Sequence, residues 1–305
     1  MVSLPVRLLQ AIPALLGVSF VAFALLYSTG DPTYVLLPPE ASPEQREAFR
    51  ESYGLNDPLV VQYVRFVGRL VTGDFGTSMS TREPALGMVL QRIPATLQLA
   101  ATAMTIALLV AVPLGVVAAY RRGMTDRLLM TLVLIGQSVP TFWLGLIVIL
   151  IFAVFLKLLP VSGRGGLEHL ILPSITLAAW LLTLLARVTR SEMLEALGQE
   201  YVRTARAKGL RELSVVGHAF RNVLIPLITI VAIQFGILLG GALMTEIVFA
   251  WPGIGSLMFE SILKKDYPVV LTVLIFAAIG TISANAIADI AYGIVDPRVR
   301  RRVRR

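Results

Sequence analysis

Cysteine is absent from this 305-residue chain. Without a thiol there is no disulfide, no thiolate metal site and no cysteine nucleophile. Histidine is nearly absent too. Only His169 and His218 occur, and neither belongs to an HExxH pattern, so a zinc protease has no ligand set. No GxSxG elbow offers a serine nucleophile. No GxxxxGKS or GxxxxGKT loop is present to cradle nucleotide phosphates, so the chain is not itself a P-loop ATPase. Charge is scarce: 15% of residues are Asp, Glu, Lys or Arg, against about 25% in soluble proteins.

Long apolar runs take the place of charge. Hydrophobic residues make up 56% of the chain, and they cluster. The segments 8–30, 93–120, 128–156, 170–186, 222–245 and 267–288 contain no charged side chain. About 20 apolar residues in a helix cross roughly 30 Å of hydrocarbon. Five runs exceed that length, and 170–186 is at its short limit. Period-two alternation is missing, which argues against a β-barrel. The reading is an all-α polytopic membrane protein with six transmembrane helices.

Basic residues set the expected orientation. Arg121, Arg122 and Arg127 lie between the second and third runs, more bases lie between the fourth and fifth, and arginines crowd the end from Arg298 to Arg305. The segment 31–92 is acidic on balance. The positive-inside rule then puts both termini and the basic loops in the cytoplasm. A membrane chain with this asymmetry calls for lipid contact rather than nucleic acid. The first run has a single n-region arginine, Arg7, and no small-residue cleavage site after Tyr27, so it reads as a retained anchor rather than a removed signal peptide.

Four regions follow: an N-terminal transmembrane helix, 1–30; an extracytoplasmic helical segment, 31–92, too polar for lipid; a five-helix core, 93–293; and a basic tail, 294–305. Within 31–92, Ser42 reads as an N-cap followed by Pro43 at the first turn, with Gly54 as the stop. A second helix is expected over 59–70, ended by Gly73, and Gly73–Ser78 is a turn. Pro140 must kink or break the third span, and Pro113 is expected to do the same near the inner end of the second.

The cytoplasmic segment 187–222 is the most informative. It reads as an initial helix ending near Gly198, a short helix from Glu200 to Lys208, and a further helix over 212–221. The short helix places an acid first and bases last, the favourable sense for its dipole. Gly209 suits the left-handed position that ends it. Ala205, Ala207 and Gly209 carry almost no bulk, so another surface can approach the backbone closely. Binding of a basic interfacial helix to anionic lipid is the competing reading. Nearly all the spans lack ionisable groups, which disfavours a proton-driven pump. Energy must come from a partner.

The segment EYVRTARAKGLRELSVVGHAFRNVLIP resembles the coupling loop of ATP-binding-cassette importer permeases, in the form found in the dipeptide/oligopeptide and nickel branch. Residues 201–210 match closely, followed by His218, Ala219, Arg221, Asn222 and Pro226. Glu200 stands where an aspartate is usual. Relative to the general form of that loop, Arg203 replaces a glutamate. The resemblance runs along the whole chain, through Gly30-Asp31-Pro32, Gly54-Leu55, Gly73-Asp74-Phe75-Gly76, SVPTFWLG, LPVSG, LPSITL, EIVFAWPGIG, KDYPV and the closing Asp296-Pro297-Arg298.

What the resemblance implies is a type I importer permease fold. Its partners would be a homologous second permease, two cytoplasmic ATP-binding subunits and an extracytoplasmic substrate-binding protein. ATP and magnesium would sit in the ATPases, and this chain would bind no cofactor or metal. Glu200, Tyr201, Arg203, Thr204, Ala205, Arg206, Ala207, Lys208, Gly209, Leu210 and Arg211 would dock on an ATPase, with docking displacing lipid contact as the preferred reading. Gln137, Ser138, Gln234, Met244, Asn285 and Asp289, the polar or adaptable residues of the spans, are candidates for the translocation path. The cargo expected is a dipeptide or short oligopeptide. Nickel chelates, glutathione, opines and oligosaccharides are the alternatives within the branch. An ATP-independent channel or structural subunit is the reading from a different class.

Overall fold

The structure is a computed structural model that describes residues 4–28 and 30–295; side chains at 4–11, 14, 27–28, 137 and 288–295 fall outside the description. The chain is all-helical, and the described residues hold no named strand. The helix α1 (Leu4–Ser28) leads into a cap of short helices, α2 (Thr33–Leu36), α3 (Pro43–Tyr53) and α4 (Leu59–Val71). The long α5 (Ala85–Arg121) is followed by α6 (Gly123–Ser138) and α7 (Thr141–Val148), which continues as a π-helical stretch, Ile149–Phe155. Then come α8 (Glu168–Leu197), α9 (Glu200–Ala207) and α10 (Glu212–Leu239). The chain closes with α11 (Leu243–Val248), α12 (Ile254–Leu263) and α13 (Tyr267–Val295).

Among the described residues, four helices are long and apolar enough to cross a membrane: α5, α8, α10 and α13. The bent pair α6–α7 makes a fifth when counted as one span. The sixth expected span falls on α1, 25 residues long, whose side-chain-described part, Leu15–Leu26, is a shorter apolar helix.

Local signals acted as expected at the caps. Ser42 accepts from Gln45 N and forms a complete capping box, while Gly54 ends α3 at φ 64°. Prolines divided into two groups. Pro140 breaks the third span between α6 and α7. Pro113, where a kink or break was expected, lies inside the continuous helix α5, as does Pro94. Pro173 and Pro226 likewise lie inside continuous helices, α8 and α10. The helix can carry a missing N–H where neighbouring helices pack around it.

The core is set by the contact of α5 with α8. Over the second half of α5 every fourth residue is small and buried: Ala103, Ala107, Ala111, Gly115 and Ala119. In lipid no hydrophobic force drives helices together, so close backbone approach must supply the attraction. At Gly115 a Cβ would lie 2.7 Å from Thr189 Cβ and 2.8 Å from the Ala186 carbonyl. Only glycine permits that approach. Leu181, Leu185 and Ala186 of α8 fill the same cluster, and Thr183 Oγ1 donates to the Val133 carbonyl at 2.8 Å, tying α6 to α8. Arg190 of α8 grips Asp126 of α6 through both carboxylate oxygens, at 2.5 and 2.6 Å.

Two expectations about boundaries needed revision. The initial helix expected before Gly198 is the continuation of α8, which runs unbroken to Leu197. The helix expected over 212–221 is the first part of α10. The loop therefore contracts to residues 198–211, presented on the ends of two long helices. The tail 296–305, with Asp296, Pro297 and the arginines from Arg298, lies outside the described residues.

Candidate functional site

The short helix α9 hangs between α8 and α10 and is amphipathic despite its length. Val202 and Ala205, three residues apart, are buried, and residues three apart share a helix face. They pack with Ala119 of α5, Met193, Ala196 and Leu197 of α8, and Val215, Ala219 and Val223 of α10. Ala205 thus turns toward its own bundle. The small side chains left facing outward are Ala207 and Gly209, which are exposed together with Tyr201, Arg203, Thr204, Arg206, Lys208, Leu210 and Arg211.

The turn after α9 is built from a left-handed glycine. Gly209 has φ +73°. Its N–H donates to the Arg206 carbonyl at 2.9 Å, and the Leu210 N–H reaches the Ala205 carbonyl at 3.3 Å. That pair of bonds is the Schellman closure, which needs φ > 0 at this position. A Cβ on Gly209 would meet nothing within 4 Å. The glycine is therefore required by backbone conformation and not by crowding within the chain, and the space above it is open.

Both ends of α9 are fastened to α10. Asn222 Nδ2 donates to the Tyr201 hydroxyl at 2.7 Å. Across the glycine turn, Arg206 Nε meets Glu212 at 3.1 Å. On the exposed face Glu200 pairs with Arg203 at 2.9 Å, and Thr204 Oγ1 returns to the Glu200 carbonyl at 3.0 Å. The first of these contacts gives a physical task to Asn222, a residue of the matched loop pattern, and the second needs Glu212, which the sequence did not single out. The i,i+3 apolar pair Val202/Ala205 in an otherwise polar helix was the available signal for the inner face. The element is thus a short, fixed, basic platform with a bulk-free edge, suited to a partner that presses against it.

The candidate path residues are scattered over several elements. Ser138 ends α6 beside the Pro140 break, is exposed and donates to the Leu134 carbonyl. Gln234 is buried in α10, and its Oε1 has no hydrogen-bond partner. Met244 belongs to α11 rather than to the fifth span and is 53% exposed. The fifth helix stops at Leu239 because Gly240 and Gly241 turn the chain, with Gly241 at φ +103° and a Cβ there only 2.6 Å from Gly255 N. Asn285 is exposed on α13. The side chains of Gln137 and Asp289 lie outside the described residues.

A feature unread from the sequence lies at Glu246. Named in the sequence only as the first residue of EIVFAWPGIG, it is fully buried. Thr96 Oγ1 of α5 donates to it at 3.2 Å and Ser256 N of α12 at 2.8 Å. A Cβ on Gly253 would come within 2.2 Å of the carboxylate, and one on Gly255 within 2.9 Å. The spacing of EIVFAWPGIG is thereby explained: the two glycines let the backbone close around the carboxylate. Trp251 completes the lock, its indole N–H donating to the Ala95 carbonyl at 2.9 Å.

Comparison with known proteins gives a consistent result. Residues 111–301 match the binding-protein-dependent transport system inner membrane component family, and residues 1–100 match the N-terminal region of such membrane components. The chain is 40% identical to the oligopeptide transport system permease protein AppB of Bacillus subtilis (strain 168), over 96% of this chain and 97% of that one. It is also 40% identical to the glutathione transport system permease protein GsiC of Salmonella typhimurium (strain LT2), with the same coverage. Among solved structures, an inward-facing form of the MetNI methionine ABC transporter aligns with TM-score 0.59 at 20% identity. That match covers 70% of this chain and 99% of the other, and it supports the fold alone.

Proposed function

The chain belongs to the family of binding-protein-dependent transport system inner membrane components, and from that premise we propose that it is one of two permease halves of an ATP-driven importer of short peptides. It is a multi-pass inner-membrane permease subunit of an ATP-binding-cassette importer and not its catalytic subunit. In the proposed assembly a homologous permease supplies the other half. Two cytoplasmic ATP-binding subunits hold ATP and magnesium, and an extracytoplasmic binding protein delivers the cargo. Both termini and α9 face the cytoplasm.

One observation carries the coupling role: α9 is pinned at both ends and capped by Gly209, with open space above the glycine. A lever must transmit displacement without bending. Because the inner face of α9 packs on the ends of α5, α8 and α10, a push on its outer face reaches three long helices at once. The lining of the path remains assigned to Gln137, Ser138, Gln234, Met244, Asn285 and Asp289.

Short peptides are the cargo class because the two named relatives transport an oligopeptide and glutathione, itself a tripeptide. The test is ATP hydrolysis by the complete complex in lipid nanodiscs, with its binding protein added empty, loaded from a mixed short-peptide pool, or loaded with reduced glutathione. Stimulation by a peptide-loaded form above the empty form is expected. A complex that hydrolyses ATP and ignores both cargoes overturns the substrate class and leaves the importer architecture standing.

A further inference from the structure

The helix α4 lies in the part of the chain that reads as too polar for lipid, yet its contacts place it beside the middle of a membrane helix. The Tyr63 hydroxyl donates to the Leu16 carbonyl at 2.9 Å and sits 3.1 Å from Ser19 Oγ. Leu16 is the central residue of α1, Leu4–Ser28. At 1.5 Å per residue it lies about 18 Å below the Ser28 end. The Tyr63 ring stands edge-on to Phe20 and Phe23 at 5.2 and 5.6 Å. A second ruler agrees. Phe66 shares a cluster with Leu271 and Ile275 of α13, and Ile275 is about 12 Å down that helix from Tyr267. Since Tyr267 hydroxyl bonds the Gly30 carbonyl at 2.6 Å, the two helix ends lie at one level.

Around its axis α4 has three sectors rather than two. Gln62 and Phe66 are buried against the bundle. Val60, Val64 and Val71 form a second face and are 70%, 63% and 84% exposed. Arg65 and Arg69, one turn apart, make a third, with Arg65 paired to Asp57 at 2.7 Å. A helix lying in water on a protein surface keeps one apolar stripe, not a second exposed one. The exposed valines continue the apolar surface of α1, where Leu16, Phe20 and Val21 are also exposed.

We propose that α4 is embedded in the bilayer, its valine face covered by the acyl chains of the leaflet on the cap side. Arg65 and Arg69 extend along the helix flank to the headgroup phosphates of that leaflet, in the manner of long basic side chains at the interface. The segment 31–92 then divides in function: α3 stands in water, and α4 holds the cap at a fixed depth in the membrane.

The absence of native cysteine makes the test direct, because each introduced thiol is unique within this chain, which is labelled before assembly with its partner subunits. Nitroxide labels on Val64→Cys, on Val60→Cys and on Glu47→Cys of α3 would be compared in the complete complex in nanodiscs. The readout is collision with oxygen, which concentrates in lipid, against collision with a water-soluble nickel chelate. The expected result is an oxygen-to-nickel ratio several-fold higher at both valine sites than at the Glu47 site. Equal access to the nickel chelate at all three overturns the proposal and makes the valine face an aqueous docking surface. Protection of both valine sites from oxygen and nickel alike also overturns it, and assigns the face to another protein subunit.

Discussion

The two ends of the bundle are closed by different chemistry. At one end α9 is held by side chains that stay partly in water: the Tyr201–Asn222 bond, the Arg206–Glu212 pair and one glycine turn. At the other end the joints are buried carboxylates. Asp266, 3% exposed, accepts from Met79 N at 3.0 Å, from Ser80 N at 3.3 Å and from the Ser78 hydroxyl. Glu246 performs the same task between α5, α11 and α12. The surface proposed to meet a partner keeps its polar groups satisfiable by water. Segments that stay shut commit theirs to several fixed internal partners, and a buried group that loses its partner bears its full desolvation cost.

That contrast ranks the consequences of substitution. Asp266→Ala should be the most damaging, because it removes the acceptor of two buried donors, Met79 N and the Ser78 hydroxyl, at about 1–3 kcal/mol each. Thermal unfolding of the purified complex should show a loss of roughly 3–5 kcal/mol on that basis. Wild-type stability in this variant would mean the cap end is not closed by its carboxylate. Gly115→Ala comes next. Overpacking at a 2.7 Å approach should cost about 1–3 kcal/mol and is read in the same assay, with Gly217→Ala on α10, where a Cβ meets nothing within 4 Å, as the neutral comparison.

Gly209→Ala should cost about 1 kcal/mol, the strain of a left-handed alanine, with no steric part. The smallest effect is expected at Asp31, which meets Arg50 Nε at 2.8 Å on the partly exposed surface of the cap. Burial raises the Asp31 pKa, but bonds from Thr33 and Arg50 outweigh it and hold the carboxyl below its ordinary value. Its contribution is therefore present in full above the ordinary carboxylate range and is lost as the pH falls through the depressed folded value. The stability difference between wild type and Asp31→Asn should be within about 1 kcal/mol at neutral pH and should shrink on acidification. A difference that grows in acid would reverse the assigned sign.

Reading the sequence succeeded where the determinant was local. The Ser42 capping box, the Gly54 stop and the end of α9 at Gly209 each depend on residues within one turn, and all were legible. A kink or break at Pro140 was legible too. Which proline interrupts a span outright was not legible: Pro113 lies within α5 and Pro140 between two helices, a difference set by what packs beside each. The loop 187–222 was overdivided for a related reason. Charged residues mark where lipid ends but not where a helix ends, and α8 and α10 run on into the polar region. The carboxylate locks were illegible because their partners are distant: Thr96 lies 150 residues from Glu246, and Ser78 lies 188 from Asp266. No spacing rule connects such pairs. The inward turn of Ala205 belongs between these cases, since the apolar i,i+3 pair with Val202 was present in the sequence.

The open edge of α9 at Gly209 is the proposed point at which ATP hydrolysis reaches the helices. Gly209→Trp tests it most directly, with Gly209→Ala carrying the same backbone strain and little bulk. Each variant would be assembled with its partner permease and ATPase subunits, and peptide uptake into proteoliposomes would be measured alongside ATP hydrolysis stimulated by loaded binding protein. Gly209→Ala is expected to transport, and Gly209→Trp to insert and fold but to lose peptide-stimulated hydrolysis and uptake. Normal coupled transport by Gly209→Trp would contradict that role.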